Sequence, residues 1–250
     1  MKRLIAVAAL AALTLPGCAE ARTRLSGAGA SFPSKIYQRW FADFAKEGGH
    51  RVNYQAVGSG SGRKAFLDET VDFGASDDPM KQGDIAKAKR GMVQIPMTGG
   101  TIAFGYNIPS CDLKLTQEQA VQVAIGEINN WNQVGCDEQP MTWVYRSDGS
   151  GTTAAFTNSM KAFSKKWKLG TGKSVAWPVG IGNKGNAGVA GNIRTTPGSI
   201  GYVNQSYVKG EIRAAELQNK NGDFVAPSVE SGSLALNGIT LDENLAGTDP

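Results

Sequence analysis

Apolar residues change their spacing repeatedly along this chain, and each change marks a predicted element. Residues 51–56 alternate polar and apolar positions, the two-residue period of a half-buried strand. Residues 142–145, Thr-Trp-Val-Tyr, form a β-branched and aromatic run suited to a buried strand. Residues 71–77 give another strand, ending on Asp77 ahead of Pro79. Between these runs the period lengthens. AAFTNSMKAF places Ala155, Phe156, Ser159, Met160 and Phe163 on one helical face. SKIYQRWFADFAKE reads as a second helix, with Pro33 at the favoured first helical position. Short strands alternating with helices from Leu25 onward predict an α/β architecture with mostly parallel sheets.

Four strand-to-helix junctions gather the candidate chemistry. In LSGAGASFP a short strand ends in small residues and leaves Ser31 and the Phe32 amide at a helix mouth. GSGSG, residues 58–62, opens a helix running through Phe66 and Leu67; it lacks the ending of a P-loop and makes no dinucleotide fingerprint. The third junction carries Asp77. The fourth is RSDGSGTT, residues 146–153, where Arg146 closes the strand, Ser, Asp and Gly take turn positions, and Ser150 reads as an N-cap. A helix N-terminus leaves backbone N–H groups unpaired and carries partial positive charge, so amides, hydroxyls and a guanidinium converge where an anion can sit. Each junction alone is ordinary, and a capped helix beside a surface Arg accounts for the fourth. Together they describe a site lined by amides and hydroxyls, outside the carboxyl ends of the strands and suited to a small, highly charged oxyanion.

Two hundred and fifty residues with 41% apolar content allow one large domain or two ordinary ones. The first residues differ from the rest. Lys2 and Arg3, the apolar stretch 4–15 and then Pro16, Gly17 and Cys18 have the layout of a secretory signal, too short to span as a mature membrane helix. Two cleavage sites compete. Cys18 fits a lipoprotein signal, with Pro16 unusual at its position, and residues 19–21, Ala-Glu-Ala, form an ordinary small-x-small site. Lipidation of Cys18 is favoured, because a lone Cys directly after a hydrophobic segment has little other reason to be there. Removing residues 1–17 leaves 24 basic against 22 acidic residues, a formal charge of +2 and no nucleic-acid footprint. Cys111 and Cys136 are an even pair in an oxidising compartment and are expected to form a disulfide. His50 is the single histidine, placed beside two glycines in an exposed turn, so no metal-ligand cluster can be drawn and no cofactor is expected.

GAGASFP, VNYQAVGSGSG, VDFGASD, RSDGSGTT and WPVGIGNKGNAGVAG, in this order between residues 25 and 227, closely resemble the phosphate-binding proteins of bacterial high-affinity phosphate ABC transporters. The resemblance implies a type II periplasmic-binding-protein fold, two α/β lobes joined by crossing strands with the ligand in the interlobe cleft. Residues 1–17 would be the signal, 22–97 the first half of lobe I, and 98–250 lobe II with the segment leading back toward lobe I. Family ligand positions fall on Ser31, the Phe32 amide, Ser59, Asp77, Arg146, Ser150, Gly151 and Thr152. Asp148 matches the acidic residue that salt-links the Arg, while Gly60 stands where relatives often have Ser.

The resemblance therefore implies a monomeric, non-enzymatic exported receptor of the periplasm or cell envelope, possessing a lipid anchor if Cys18 is acylated. It would capture inorganic phosphate and hand it to a membrane permease. Binding of sulfate or molybdate, or a secreted phosphatase using a serine such as Ser150, are the alternatives; the second lacks any evident base to activate a hydroxyl. In the family the chain returns after such a segment to complete the first lobe, so a sequence stopping at Pro250 is expected to be a fragment with that lobe's sheet edge and helices partly uncovered.

Overall fold

The computed structural model describes residues 24–48, 50–242, 245 and 247. The signal segment 1–17, Cys18 and the alternative cleavage site at 19–21 lie outside the described residues. In chain order the first lobe comprises β1 (Arg24–Gly29), α1 (Ser34–Lys46), β2 (Arg51–Gln55), α2 (Ser59–Leu67), β3 (Phe73–Ala75) and α3 (Gln82–Ile85). The second comprises β4 (Ile102–Tyr106), β5 (Lys114–Leu115), α4 (Gln117–Ile125), β6 (Thr142–Arg146), α5 (Gly151–Phe163), β7 (Ile181–Asn183), α6 (Gly185–Thr195), β8 (Ser199–Asn204), β9 (Arg213–Ala214), β10 (Glu216–Gln218) and β11 (Phe224–Val225). A final helix, α7 (Val229–Asn237), packs Leu236 and Gly232 beside Gly99 and Thr101 of the connecting segment.

The first lobe is a parallel three-stranded sheet in the order β2-β1-β3. Its apolar filling is aromatic. Tyr37 and Phe41 of α1 pack edge-on against Tyr54 and Phe73, whose rings stack with centroids 6.0 Å apart. On α2, Gly62 lies so close to β1 that a Cβ there would overlap the Gly29 Cα and the Ala28 carbonyl, so only glycine lets the helix seat. Pro33 caps α1 rather than opening it, so the helix starts at Ser34, one residue later than expected.

The second lobe is built on a five-stranded sheet, β7-β6-β8-β4-β9, with a small β11-β10-β5 sheet beside it. Strand β6 shows why this sheet is well buried: Trp143 points into a cluster with Phe104, Phe156, Met160 and Tyr202, while Val144 points into another with Val189, Ile193 and Val203. Helices cover both faces, so successive residues of a strand are both apolar. Cys111 and Cys136 are bridged in this lobe with Cα atoms 5.6 Å apart, and closing that loop stabilises by about 3 kcal/mol on the chain-entropy model.

Most strand pairings among the described residues are parallel, as expected, and two details depart from the local pattern. The larger sheet is mixed: β6 runs parallel to β7 and β8, whereas β4 is antiparallel to β8 and β9. Strand β4 arrives from the first lobe through an extended connection rather than a crossover helix, so nothing forces it to run parallel. Helix α5 is also rotated from its predicted face. Its buried stripe is Thr153, Phe156, Thr157 and Met160, because two threonines satisfy their hydroxyls inside the core, Thr153 with Tyr202 Oη at 2.6 Å and Thr157 by donating to the Ala154 carbonyl at 3.1 Å.

Candidate functional site

Three of the four predicted junctions meet on one point, and the first reaches it through a bridging residue. Arg146 ends β6 at 4% exposure, its backbone N–H donating to Tyr202 Oη at 3.1 Å. Its guanidinium forks onto Asp148, Nε and one terminal nitrogen each donating to a carboxylate oxygen at 2.6 Å. Burial alone would push the Asp148 carboxyl up. The two-pronged Arg146 bond and charge, with the Gly185 N–H at 3.0 Å, outweigh it and hold the carboxyl below its usual range. Burial pushes the Tyr202 hydroxyl up to about 12, against the opposing bonds from Thr153 and Arg146, so it stays protonated in the core.

Ser150 caps α5 as the sequence implied, fully buried, with its Oγ accepting from the Thr153 N–H at 3.0 Å. Gly151 and Thr152 follow in the first turn of that helix. Across the cleft, Asp77 lies two residues beyond β3, so the strand is shorter than predicted and the carboxylate stands on the loop after it. Ser59, the first residue of α2, donates to Asp77 Oδ1, and Thr152 Oγ1 donates to Oδ2 at 2.9 Å from the opposite lobe. The other terminal nitrogen of Arg146 donates to Thr152 Oγ1 at 3.4 Å. Ser59, Asp77, Thr152, Arg146 and Asp148 are thus one chain of contacts spanning both lobes. A Cβ on Gly151 would strike Asp77 and the Ser59 hydroxyl, so the close approach requires glycine there. Gly60 also makes a contact of its own, its N–H donating to the Gly149 carbonyl at 2.8 Å across the cleft.

Ser31 is buried in the turn before α1, with Phe32 beside it, and it does not touch the Asp77 cluster directly. Its link is a residue that the four-junction reading missed. Asn186, buried at the start of α6, donates its backbone N–H and side-chain amide to Ser31 Oγ at 3.0 and 3.1 Å and reaches Thr152 Oγ1 at 3.4 Å. The signal was a fifth strand-to-helix junction, β7 into α6, concealed within a Gly-rich string. Tyr207 is a second addition, donating to the Ser31 carbonyl at 2.9 Å from the second lobe.

The Arg146–Asp148 pair is neutral as a unit and Asp77 adds negative charge, so attraction for an anion must come from local dipoles. Helices α2, α5 and α6 all begin here, each bringing N-terminal amides. Among the described residues no group of three or more His, Cys, Asp or Glu is placed to hold a metal. No helix among them is long and apolar enough to cross a membrane.

The sequence model for the PBP superfamily domain matches residues 16–250. The chain belongs to the PBP superfamily. This PBP-superfamily chain is 43% identical over 223 residues to the "Phosphate-binding protein PstS" of Pasteurella multocida, covering 83% of itself and 64% of that relative. It is 42% identical over 222 residues to the protein of the same name from Haemophilus influenzae, covering 83% and 66%. It therefore spans just under two thirds of the length of these relatives. Among solved structures, that of PfluDING, a high-affinity periplasmic phosphate-binding protein bound with phosphate, superposes with a TM-score of 0.73 at 21% identity, covering 88% of this chain and 69% of that one. The fold is the two-lobed, type II periplasmic-binding-protein architecture.

Proposed function

We propose that this chain is the ligand-capturing part of an exported, non-enzymatic solute-binding protein that takes up inorganic phosphate and hands it to the membrane permease of a phosphate ABC transporter. The observation that carries this reading is the Asp77 carboxylate set among hydroxyl donors, opposite the Arg146–Asp148 fork. A site made only of donors suits any oxyanion. An ionised carboxylate among them suits an anion that still carries a proton. Phosphate keeps at least one P–OH at neutral pH and can donate it to Asp77, whereas a sulfate oxygen would face that carboxylate lone pair to lone pair.

In this reading Ser31, the Phe32 amide, Ser59, Arg146, Ser150, Gly151 and Thr152 donate to the phosphate oxygens, Asp77 accepts from P–OH, and Asp148 orients the Arg146 fork. Residues 22–97 act as lobe I and residues 98–250 as lobe II with the segment leading back. Ligand contacts from both lobes favour the closed arrangement only when the anion is held, and closure signals the transporter. The protein works as a monomer in the periplasm or cell envelope, tethered through Cys18 where that residue is acylated. Binding rather than catalysis is favoured because His50 stands exposed against the Phe44 ring, at the end of α1 opposite the site.

The test is calorimetric titration with phosphate, sulfate and molybdate at fixed ionic strength near pH 7, together with incubation with a chromogenic phosphate ester. Phosphate is expected to bind with a preference of about 100-fold over sulfate, one unpaired buried charge being worth that much. Tighter binding of sulfate or molybdate overturns the ligand assignment, and ester turnover overturns the non-enzymatic reading.

A further inference from the structure

Asn186 touches a site hydroxyl from each lobe, Ser31 from the first and Thr152 from the second. Its Oδ1 accepts from the Asn204 N–H at 2.8 Å, which establishes that the other end of the amide, the donor end, faces the cleft. A serine hydroxyl carries one proton and two lone pairs. The backbone N–H and Nδ2 of Asn186 supply two donors to Ser31 Oγ, at 3.0 and 3.1 Å, and fill both lone pairs. What remains on Ser31 is its own proton. Thr152 differs: its Oγ1 accepts from Arg146 and from Asn186 Nδ2, each at 3.4 Å, and its proton already goes to Asp77 Oδ2.

We propose that Asn186 is a positioning residue that removes the accepting capacity of the Ser31 hydroxyl, so that it can only donate to a bound oxyanion and Asp77 is left as the acceptor for the anion's proton. This rests on the phosphate reading above and deepens it. A hydroxyl with an empty lone pair rotates between donating and accepting; one whose lone pairs are filled points its hydrogen a single way. Asn186 performs this from the second lobe upon a serine of the first, so the alignment of Ser31 is completed only when the lobes meet.

The experiment titrates inorganic phosphate into the wild type and into Asn186→Ala, Asn186→Asp, Ser31→Ala and the Asn186→Ala/Ser31→Ala double variant, with thermal unfolding of each. Asn186→Ala is expected to weaken phosphate about tenfold, the worth of one misaligned hydrogen bond from Ser31. Asn186→Asp has nearly the same shape and keeps an oxygen toward the Asn204 N–H, yet turns the donor into an acceptor that captures the Ser31 proton; it is expected to lose about 100-fold. Because Asn186 acts through Ser31, the double variant should bind within about threefold of Ser31→Ala alone, a coupling that a purely structural role would not produce. Wild-type affinity in a folded Asn186→Asp, or losses that simply add in the double variant, overturn the proposal. If Asn186→Ala does not fold, Asn186→Asp decides the matter alone. A wild type that binds no phosphate fails at the first titration and overturns the phosphate reading instead.

Discussion

The two lobes contribute to one site from very different foundations. Between them, the two clusters of buried apolar residues draw on strands β4, β6, β8 and the helices packed upon them, all in the second lobe. Among the described residues up to 97 the buried apolar ones are Ala28, Ala30, Tyr37 and Met80. The same stretch exposes Ile36, Trp40 and Phe44 on α1, then Val93, Ile95 and Met97 on the extended connection, the last three at 82, 64 and 58%. The difference teaches where the rigidity of the site comes from. The second lobe fixes Arg146, Asp148, Ser150 and Thr152 upon a strand end and a helix start clamped on both faces. The first lobe presents Ser31 and Asp77 from loops and Ser59 from a helix start, all on a thin sheet. Their positions depend on contacts made across the cleft as much as on packing beneath them.

The largest expected effect tests whether the second lobe's half is the anchor. Arg146→Met should abolish phosphate binding and destabilise the protein by about 3–5 kcal/mol, because it leaves the Asp148 charge buried without its partner. In the wild type the depressed Asp148 carboxyl contributes stability that is complete above about pH 4 and is lost as pH falls through the lower folded value. In the variant the unpaired carboxyl titrates higher, so acidification should relieve the strain rather than add to it. Urea unfolding at several pH values reads both the size and the reversal of sign.

The core contrast comes next. Phe156, 3% exposed and stacked on Tyr202 at 4.3 Å, should cost about 3–5 kcal/mol when truncated to Ala. Trp40→Ala in the first lobe, on the solvent side of α1, should fall within about 0.5–1 kcal/mol. Equal shifts in denaturation midpoint would show that the lobes are packed alike and that the comparison is mistaken.

Asp77→Asn should leave stability almost unchanged while narrowing the phosphate-to-sulfate preference by about 100-fold, about 2.7 kcal/mol. Asp148→Asn should weaken both anions and keep their ratio. Competition titrations that find the full preference intact in Asp77→Asn would remove the proton-reading mechanism.

The smallest effect concerns contact between the lobes. Lys173 of the second pairs with Asp78 of the first at a partly exposed rim, where Arg63 also donates to Asp78. Such a pair is worth about 0.5–1 kcal/mol, so Lys173→Met should weaken phosphate about two- to fivefold and make binding less sensitive to salt. An unchanged salt slope would show that the rim pair has no part in closure.

Much of this was legible because the chemistry sits on local strings. Arg146, Ser150 and Thr152 are fixed by a strand end and a helix cap, both of which announce themselves within eight residues. Asp77 was readable as the end of an apolar run. Asn186 was not, since its role depends on Ser31, 155 residues away, and nothing in GNKGN distinguishes its asparagine from those of ordinary turns. The face of α5 was misjudged for a related reason: periodicity counts apolar side chains, and Thr153 and Thr157 enter the core only because partners elsewhere in the fold accept or donate for them. The direction of β4 depends on how one lobe feeds the next, which no window of local pattern contains.

Gly151 has a consequence for how the molecule moves. Its φ is outside the left-handed region, so an alanine there fits the helix, and the second lobe would fold around it unchanged. The methyl group would nevertheless occupy the space where Asp77 and the Ser59 hydroxyl arrive. One added carbon would act as a doorstop, holding the hinge ajar without loosening either leaf. Small-angle X-ray scattering should then show the same expanded radius of gyration with and without phosphate. A wild-type particle that contracts on adding the anion, beside a variant that never does, would separate the closing of this protein from its chemistry.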